Sequence, residues 1–550
     1  MHVKYPLLTA IAAACLTLPC ALPAWAAQNI RTEKAVQATA SASVPKTAAG
    51  QSGQKAQPET AYSLDFDASH YTKQSLPVNG QDVSFRAYEN IPYVAKPVAV
   101  EDQSLSIYIP EAYFHEKGNV NGYTAKTAPI FLPNGVGGYM PGSIQAPTAT
   151  DERSGGANAS LVALSKGYVV AAPAIRGRTT VNAAGTYVGK APALIVDYKA
   201  AVRYLRHNKN RLPAGDTEKI ISNGTSAGGA LSALLGATGN SKDYEPYLQA
   251  IGAANERDDI YASSDYCPIT NLEHADMAYE WLFSGVTAAY QQSAMPPLPP
   301  NGQQPEKTAG QTVTDRPLNA PSESAKATAM TAEQIDAAQA LKAQFPAYVN
   351  SLHLHDKNGQ ALTLNADGTG PFADYIKSLY LASAQKALDA GQDLRDVTWA
   401  TIQNGTVSNM DLSQYAQWAT RLKATPAFDK FDLSSGENDE FGDSANHPKH
   451  FTTFSYLHST KGKAMADEKI IRMLNPLNYI GQKDVQTAGY WRIRHGAKDR
   501  DTSIAIPAIL ALKLENNGEY VDFASPWGKG HAGDYDLDEL FNWMDSICKK

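Results

Sequence analysis

The run Ile220-Ile221-Ser222-Asn223-Gly224-Thr225-Ser226-Ala227-Gly228-Gly229-Ala230-Leu231 carries a β-branched pair into Gly-x-Ser-x-Gly and then into helix-forming residues. A strand, a sharp turn at a serine and a helix in immediate succession fit few folds. A serine hydroxyl is a poor nucleophile at neutral pH, so it must stand clear of a sheet on a tight turn, with small neighbours that let a base and a carbonyl approach. Gly224 and Gly228 supply that clearance. The same spacing occurs by chance in glycine-bearing loops, and here the strand before it and the helix after it favour the nucleophile.

The sheet expected around this turn is legible on either side of it. Pro129 to Leu132 leads into Asn134-Gly135-Val136-Gly137-Gly138-Tyr139, Gly167 to Ala171 leads into Pro173 to Arg178, and Lys219 to Ser222 leads into the turn itself. Apolar residues at helical spacing over Leu194 to Leu205 predict a crossover helix between strands, as a mostly parallel sheet requires. A further strand is expected at Leu248 to Ala253. Alternating apolar residues within Tyr62 to Tyr93 and Ser104 to Ile109 predict antiparallel strands at one sheet edge. Late in the chain the pattern gives a strand at Gly489 to Arg494, a helix at Ile504 to Leu514, a strand at Tyr520 to Ala524 and a closing helix at Asp536 to Ile547.

Between these halves the sheet pattern lapses for about two hundred residues, and the roughly 490 residues after residue 60 exceed what a single compact core usually holds. Met295 to Ser324 is dense in Pro, Gln, Thr and Gly and reads as an exposed loop, whereas Thr331 to Phe345 and Phe372 to Ala390 read as amphipathic helices. The expected organisation is therefore an α/β-hydrolase core over residues 61–266 and 476–550, with residues 267–475 inserted as a lid domain.

Ahead of the core, Met1 to Ala26 has Lys4, an apolar stretch from Leu7 to Leu22 broken by Pro19, and Ala24-Trp25-Ala26 as a small-x-small cleavage site. These are the parts of a secretory signal peptide. Residues 27–60, rich in Ala, Gln, Ser, Thr and Lys, cannot bury enough surface to offset ordering and read as a disordered tether. The chain is expected to be exported, to the periplasm or beyond, with no membrane span. A formal net charge of −7 with mixed signs argues against nucleic acid as a partner. Of the 4 cysteines, Cys15 and Cys20 leave with the signal peptide. Cys267 and Cys548 are either the pair of one disulfide or two unrelated buried thiols.

A nucleophile on such a turn needs a base and an acid from later loops, in the order serine, acid, histidine. After Val521-Asp522-Phe523-Ala524 comes Pro526-Trp527-Gly528-Lys529-Gly530-His531, and His531 is the best base among the 12 histidines. His495 would precede the acid and suits a satisfied structural role; His353, His355, His447, His450 and His458 in the insertion are expected at the surface. Asp499 and Asp501 both follow the preceding strand, and position alone does not choose between them. For the oxyanion, the backbone N–H of Ala227 and the glycine loop at Gly137 and Gly138 are the natural donors. No histidine has metal-ligand spacing with carboxylates on a common helix, so no metal or other cofactor is expected. The acidic run Asp534, Asp536, Asp538 and Glu539 suits the positive end of the last helix better than a calcium loop.

Three strings together, Asn223 to Gly236, Arg494-His495-Gly496-Ala497-Lys498-Asp499-Arg500-Asp501-Thr502-Ser503, and Pro526-Trp527 to His531-x-Gly533-Asp534-Tyr535-Asp536, resemble the bacterial tannases. The resemblance runs from the Tyr62 region to Ile547. It implies an α/β-hydrolase with an inserted lid that hydrolyses galloyl esters to gallate and an alcohol, and it assigns the triad to Ser226, Asp499 and His531. It further implies that Lys423, Glu437 and Asp501 bind the galloyl hydroxyls, with Glu440 as the alternative to Glu437. Three adjacent phenols offer donors and acceptors that such a cluster can pair. The Pro-rich loop and the tether depart from the family's core. Three other readings stand beside this one: a feruloyl or general aryl esterase, a serine peptidase, and a polyphenol-binding protein that has lost catalysis.

Overall fold

The computed structural model describes residues 61–151, 155–290 and 327–549. The expected signal peptide, the tether and the Pro-rich loop at 295–324 lie outside the described residues. The described chain belongs to one compact unit, Glu59–Lys550.

Nine strands form the main sheet: β1 (Thr72–Val78), β2 (Gln81–Pro92), β3 (Ser104–Pro110), β4 (Pro129–Pro133), β5 (Val169–Pro173), β6 (Asp216–Thr225), β7 (Ala262–Tyr266), β8 (Tyr490–Arg494) and β9 (Tyr520–Ala524). Their spatial order is β1-β2-β3-β5-β4-β6-β7-β8-β9. The first three are antiparallel and form the expected edge, while β4 through β9 run parallel. The burial follows from this. β4 (PIFLP) and β5 (VVAAP) are buried at every position, as parallel strands covered on both faces must be, whereas the edge strand β1 is largely exposed.

Helices α1 (Ala159–Ser165), α2 (Ala193–His207) and α3 (Ala227–Ala237) connect the parallel strands. The crossover helix read over Leu194 to Leu205 is α2. Its residues from Ala193 to Arg206 are all buried, and Lys199 and Arg203 pair there with Asp258 at 2.8 Å each. The strand expected at Leu248 to Ala253 is corrected: Glu245–Ala250 is a short helix, and the strand that follows the turn in the sheet is β7. Its sequence, Ala-Ser-Ser-Asp-Tyr, is small and polar, and its buried Ser263 hydroxyl bonds those of Ser222 and Ser232 and donates to the Asp265 carboxyl rather than packing as an apolar group.

The block from 267 to 475 contributes α4 (Leu272–Phe283), α5 (Ala332–Ser351), α6 (Pro371–Asp389), α7 (Leu412–Ala419) and the short helix α8 (Gly436–Glu440). The helices expected at Thr331 to Phe345 and Phe372 to Ala390 are α5 and α6, and Thr331 caps α5 with a full capping box to Gln334. Side chains of this block share one continuous hydrophobic cluster with the sheet. The chain closes with α9 (Ala505–Asn517) and α10 (Leu537–Cys548). α9 is apolar nearly all round because it is buried nearly all round, and it stops at Gly518 in the left-handed region (φ 96°).

Cys267 and Cys548 are separate buried thiols. Cys267 follows the C-terminal end of β7, whereas the Cys548 carbonyl accepts from Lys219 near the start of β6. The parallel strands separate the two cysteines, so the single disulfide is excluded. Among the described residues no helix is long and apolar enough to cross a membrane.

Candidate active site

Ser226 joins β6 to α3 with φ 62° and ψ −122°, a conformation that costs a non-glycine residue about 1–3 kcal/mol. The glycines around it are there because nothing larger fits. A methyl on Gly224 would fall on the Gly228 carbonyl, one on Gly228 would come within 2.6 Å of the Asn134 Oδ1 and the Val136 carbonyl, and one on Gly229 within 2.5 Å of the Tyr266 carbonyl. The turn is fastened from both sides. The Ser226 N–H donates to the Tyr266 carbonyl (2.9 Å), and Asn134 Nδ2 donates to the carbonyls of Asn223 (3.1 Å) and Gly228 (3.0 Å).

The hydroxyl of Ser226 lies 2.7 Å from His531 Nε2, and His531 Nδ1 lies 2.8 Å from Asp499 Oδ2. An ionised carboxylate only accepts, so Nδ1 carries the hydrogen and Nε2 accepts from the serine. The other Asp499 oxygen accepts from the backbone N–H of Asp501 (2.9 Å) and Thr502 (3.4 Å). Burial works against the Asp499 charge, yet the imidazoles of His531 and His495 outweigh it and hold the acid at about 2. For His531, burial alone would lower the pKa; the Asp499 carboxylate, helped by Cys267 and Asp501, raises it well above the usual value. Asp499, not Asp501, is thus the partner of His531 Nδ1. Asp501 approaches the other face, 3.8 Å from Nε2.

His495 is fully buried 3.7 Å from Asp499, but neither ring nitrogen finds a hydrogen-bond partner, contrary to the satisfied role expected for it. Burial lowers its pKa. His450 is corrected from surface to core: it is fully buried, with Nδ1 2.7 Å from Asp429. Cys267, Asp499 and His531 bring one ligand atom each within 4.8 Å of one another. Burial raises the Cys267 thiol, which points to the Ala532 carbonyl at 3.5 Å.

Above this relay the inserted block brings a second set of charges. Lys423 Nζ donates to Asp501 Oδ1 at 2.9 Å and lies 4.1 Å from the centre of the Phe428 ring. Burial would discharge the ammonium, but the carboxylates of Asp501 and Glu437 overcome it and raise its pKa. The Lys423 backbone is fixed by its neighbours: its N–H donates to Tyr279 Oη (3.2 Å) and its carbonyl accepts from Arg421 Nε (2.6 Å). Arg421 is itself held by the buried Glu280, while Tyr279 Oη donates to the Arg500 carbonyl, between Asp499 and Asp501.

Glu437 sits half-buried in the first turn of α8, which Ser435 caps through the Asn438 N–H. Asn438 Nδ2 donates to Asp429 (2.7 Å), so α8 is tied to a carboxylate that also receives Phe451 and Thr452. Glu440 is a different kind of residue: fully buried, both carboxylate oxygens without partners, and pushed well above the usual carboxylate range by burial.

The two expected oxyanion donors occupy the same end of the sheet. Ala227 begins α3, where first-turn N–H groups have no partner within the helix. Gly138, in the left-handed region at φ 56°, lies in the loop after β4 that Asn134 ties to the turn at Ser226. The acidic run near the last helix serves structure. Asp536 accepts from Tyr266 Oη and Arg492 at 2.5 Å each, and Asp534 accepts from Asn223 (3.0 Å). Sequence reasoning missed Arg178, Lys190 and Asp439, which join α8 to the core, because the pairing of residues some 250 positions apart leaves no local signal.

The chain resembles solved esterases over nearly all of its described length. A tannase from Fusobacterium nucleatum is 48% identical, with a TM-score of 0.82, covering 88% of this chain and 100% of that one. A tannase from Lactobacillus plantarum is 46% identical, with a TM-score of 0.81 and the same coverage. A tannin acyl hydrolase solved with ethyl gallate is 45% identical, with a TM-score of 0.79, covering 88% of this chain and 99% of that one. The BD-FAE family model matches residues 138–295. Among curated proteins nothing matches.

Proposed function

This chain belongs to the tannase family and is a carboxylic ester hydrolase, and on that footing we propose that it is an exported serine esterase that cleaves galloyl esters to gallate and an alcohol. The observation that carries the reading is the Ser226–His531–Asp499 relay, with contacts of 2.7 and 2.8 Å, lying beside the Lys423–Asp501 pair.

In this reading His531 Nε2 takes the Ser226 proton as Oγ attacks the ester carbonyl, and Asp499 holds the tautomer and stabilises the imidazolium. The N–H groups of Ala227 and Gly138 receive the oxyanion, each worth about a hundredfold to a thousandfold in turnover. Collapse expels the alcohol, protonated by His531, and leaves a galloyl ester on Ser226. Water activated by the same imidazole then releases gallate. Lys423, Glu437 and Asp501 take the three ring hydroxyls, and the block 267–475 acts as the lid that brings the first two. Export rests on the sequence features of residues 1–26.

The test is gallate release from methyl gallate by the purified protein, with Ser226→Ala abolishing it; an inactive wild type overturns the reading. The BD-FAE match favours one alternative, a feruloyl or general aryl esterase. A site built to bind hydroxyls rejects analogues lacking them by about 10⁴ or more, so similar kcat/KM on methyl gallate, methyl ferulate and methyl benzoate would support the alternative.

A further inference from the structure

Arg178 stands where two functional segments meet. Its Nε donates to the Gly138 carbonyl at 3.0 Å, and its Nη1 donates to Asp439 Oδ2 at 2.7 Å. The first contact lies in the loop after β4 that offers an oxyanion donor; the second lies in α8, two residues after Glu437. The Arg178 N–H also donates to the Tyr139 carbonyl (2.8 Å), so its backbone and side chain grip the same loop. The seam is tight: a methyl on Gly177 would fall within 2.6 Å of the Met140 carbonyl oxygen, and one on Gly436 would sit 3.4 Å from Arg178 Nε.

The guanidinium is half-buried, with 18% of its side chain exposed against 20% for Asp439, so the pair is shielded from the screening that weakens surface ion pairs. Asp439 is also held by Lys190, which reaches Asn446 at 2.8 Å. α8 therefore has a firm anchor besides Arg178, and Arg178 is the link that extends from it to Gly138.

We propose that Arg178 is a positioning residue that couples seating of the ring hydroxyls at Glu437 to the geometry of the oxyanion donor at Gly138. This inference rests on the function proposed above. The fork geometry is essential to it, because a guanidinium presents two donors in fixed directions, whereas an ammonium is a single point that cannot hold both partners in the same orientation. A donor displaced by a fraction of an ångström loses much of what it contributes in the transition state while ground-state binding is little changed.

Steady-state kinetics on methyl gallate test this with Arg178→Gln and Arg178→Lys. Both variants should lose about tenfold or more in kcat, with KM within about threefold of wild type, and the lysine should not rescue. On methyl benzoate, which has no hydroxyl to seat, the loss in kcat should be several-fold smaller. A rise in KM with kcat unchanged, or full rescue by lysine, overturns the proposal and leaves Arg178 a charge that seats the lid. Should Arg178→Gln not fold, Arg178→Lys, which keeps a cation beside Asp439, carries the test: it should lower kcat on methyl gallate more than on methyl benzoate, and an equal effect on both esters overturns the proposal. A wild type that releases no gallate sinks the functional reading instead, so the two failures are told apart.

Discussion

Lys423 of the inserted block and Asp501 of the loop after β8 meet at 2.9 Å, with 20% and 8% of their side chains exposed. Each compensates the other in a place where either charge alone would be costly. On the proposed mechanism this pair reads the ring hydroxyls. Lys423→Gln should therefore lower kcat/KM on methyl gallate by about tenfold to a hundredfold, the range of a lost charged hydrogen bond. It should change methyl benzoate hydrolysis far less. Equal losses on both esters would show that the lysine shapes the fold and not the choice of ester.

The Asp499 charge raises the pKa of His531, and turnover needs His531 neutral to accept a proton. The kcat/KM profile should thus rise with pH, with its acid limb above the usual histidine range. Asp499→Asn should cost about 10⁴ in kcat and move the limb of the residual activity to lower pH. A limb that stays put in the variant would assign the titration to another group.

Glu440 carries the opposite sign. Its folded-state pKa is raised by burial, so ionisation is harder in the folded chain than in the unfolded one. Stability from this group is intact below the ordinary carboxylate pKa and is lost progressively as pH rises above it. Glu440→Gln should remove that decline, so its Tm relative to wild type should climb between pH 5 and pH 8. Thermal melts across that range decide the matter.

The backbone strain at Ser226 predicts a separation between two inactive variants. Ser226→Ala retains a Cβ at φ 62°, whereas Ser226→Gly relieves the penalty, about 1–3 kcal/mol. The glycine variant should melt several degrees above the alanine variant. If alanine is the more stable of the two, the strain is not stored there.

Because Cys267 and Cys548 are separate thiols, a reductant should leave Tm and activity unchanged. Thiol titration of the denatured protein should give two groups per chain once residues 1–26 are removed, and four if they are retained. The same assay therefore tests the cleavage read from Ala24-Trp25-Ala26.

Much of this architecture is legible in the sequence wherever one element reports on itself. β9 and α2 follow from local periodicity, and the turn at Ser226 follows from its glycines. β7 does not, because Ala-Ser-Ser-Asp-Tyr has no apolar run and is buried through a network of hydroxyls. The choice of Asp499 over Asp501 also has no local signal; it depends on which carboxylate faces His531 Nδ1. Arg178 stayed hidden for the same reason, since its partners Gly138 and Asp439 lie 40 and 261 positions away.

On the proposed function one loop after β8 holds both the acid of the relay and a reader of the ring, and the Asp501 N–H bonds the Asp499 carboxylate. Selectivity and turnover are therefore not separately heritable at this loop: a change at Asp501 that retunes the ester also disturbs the acid two residues away. Lys423 and Glu437 stand outside that loop, on the inserted block, and neither bonds the Asp499 carboxylate. A lineage, or a laboratory library, that seeks a new acyl group should find its viable variants around Lys423 and Glu437 and few at Asp499 to Thr502.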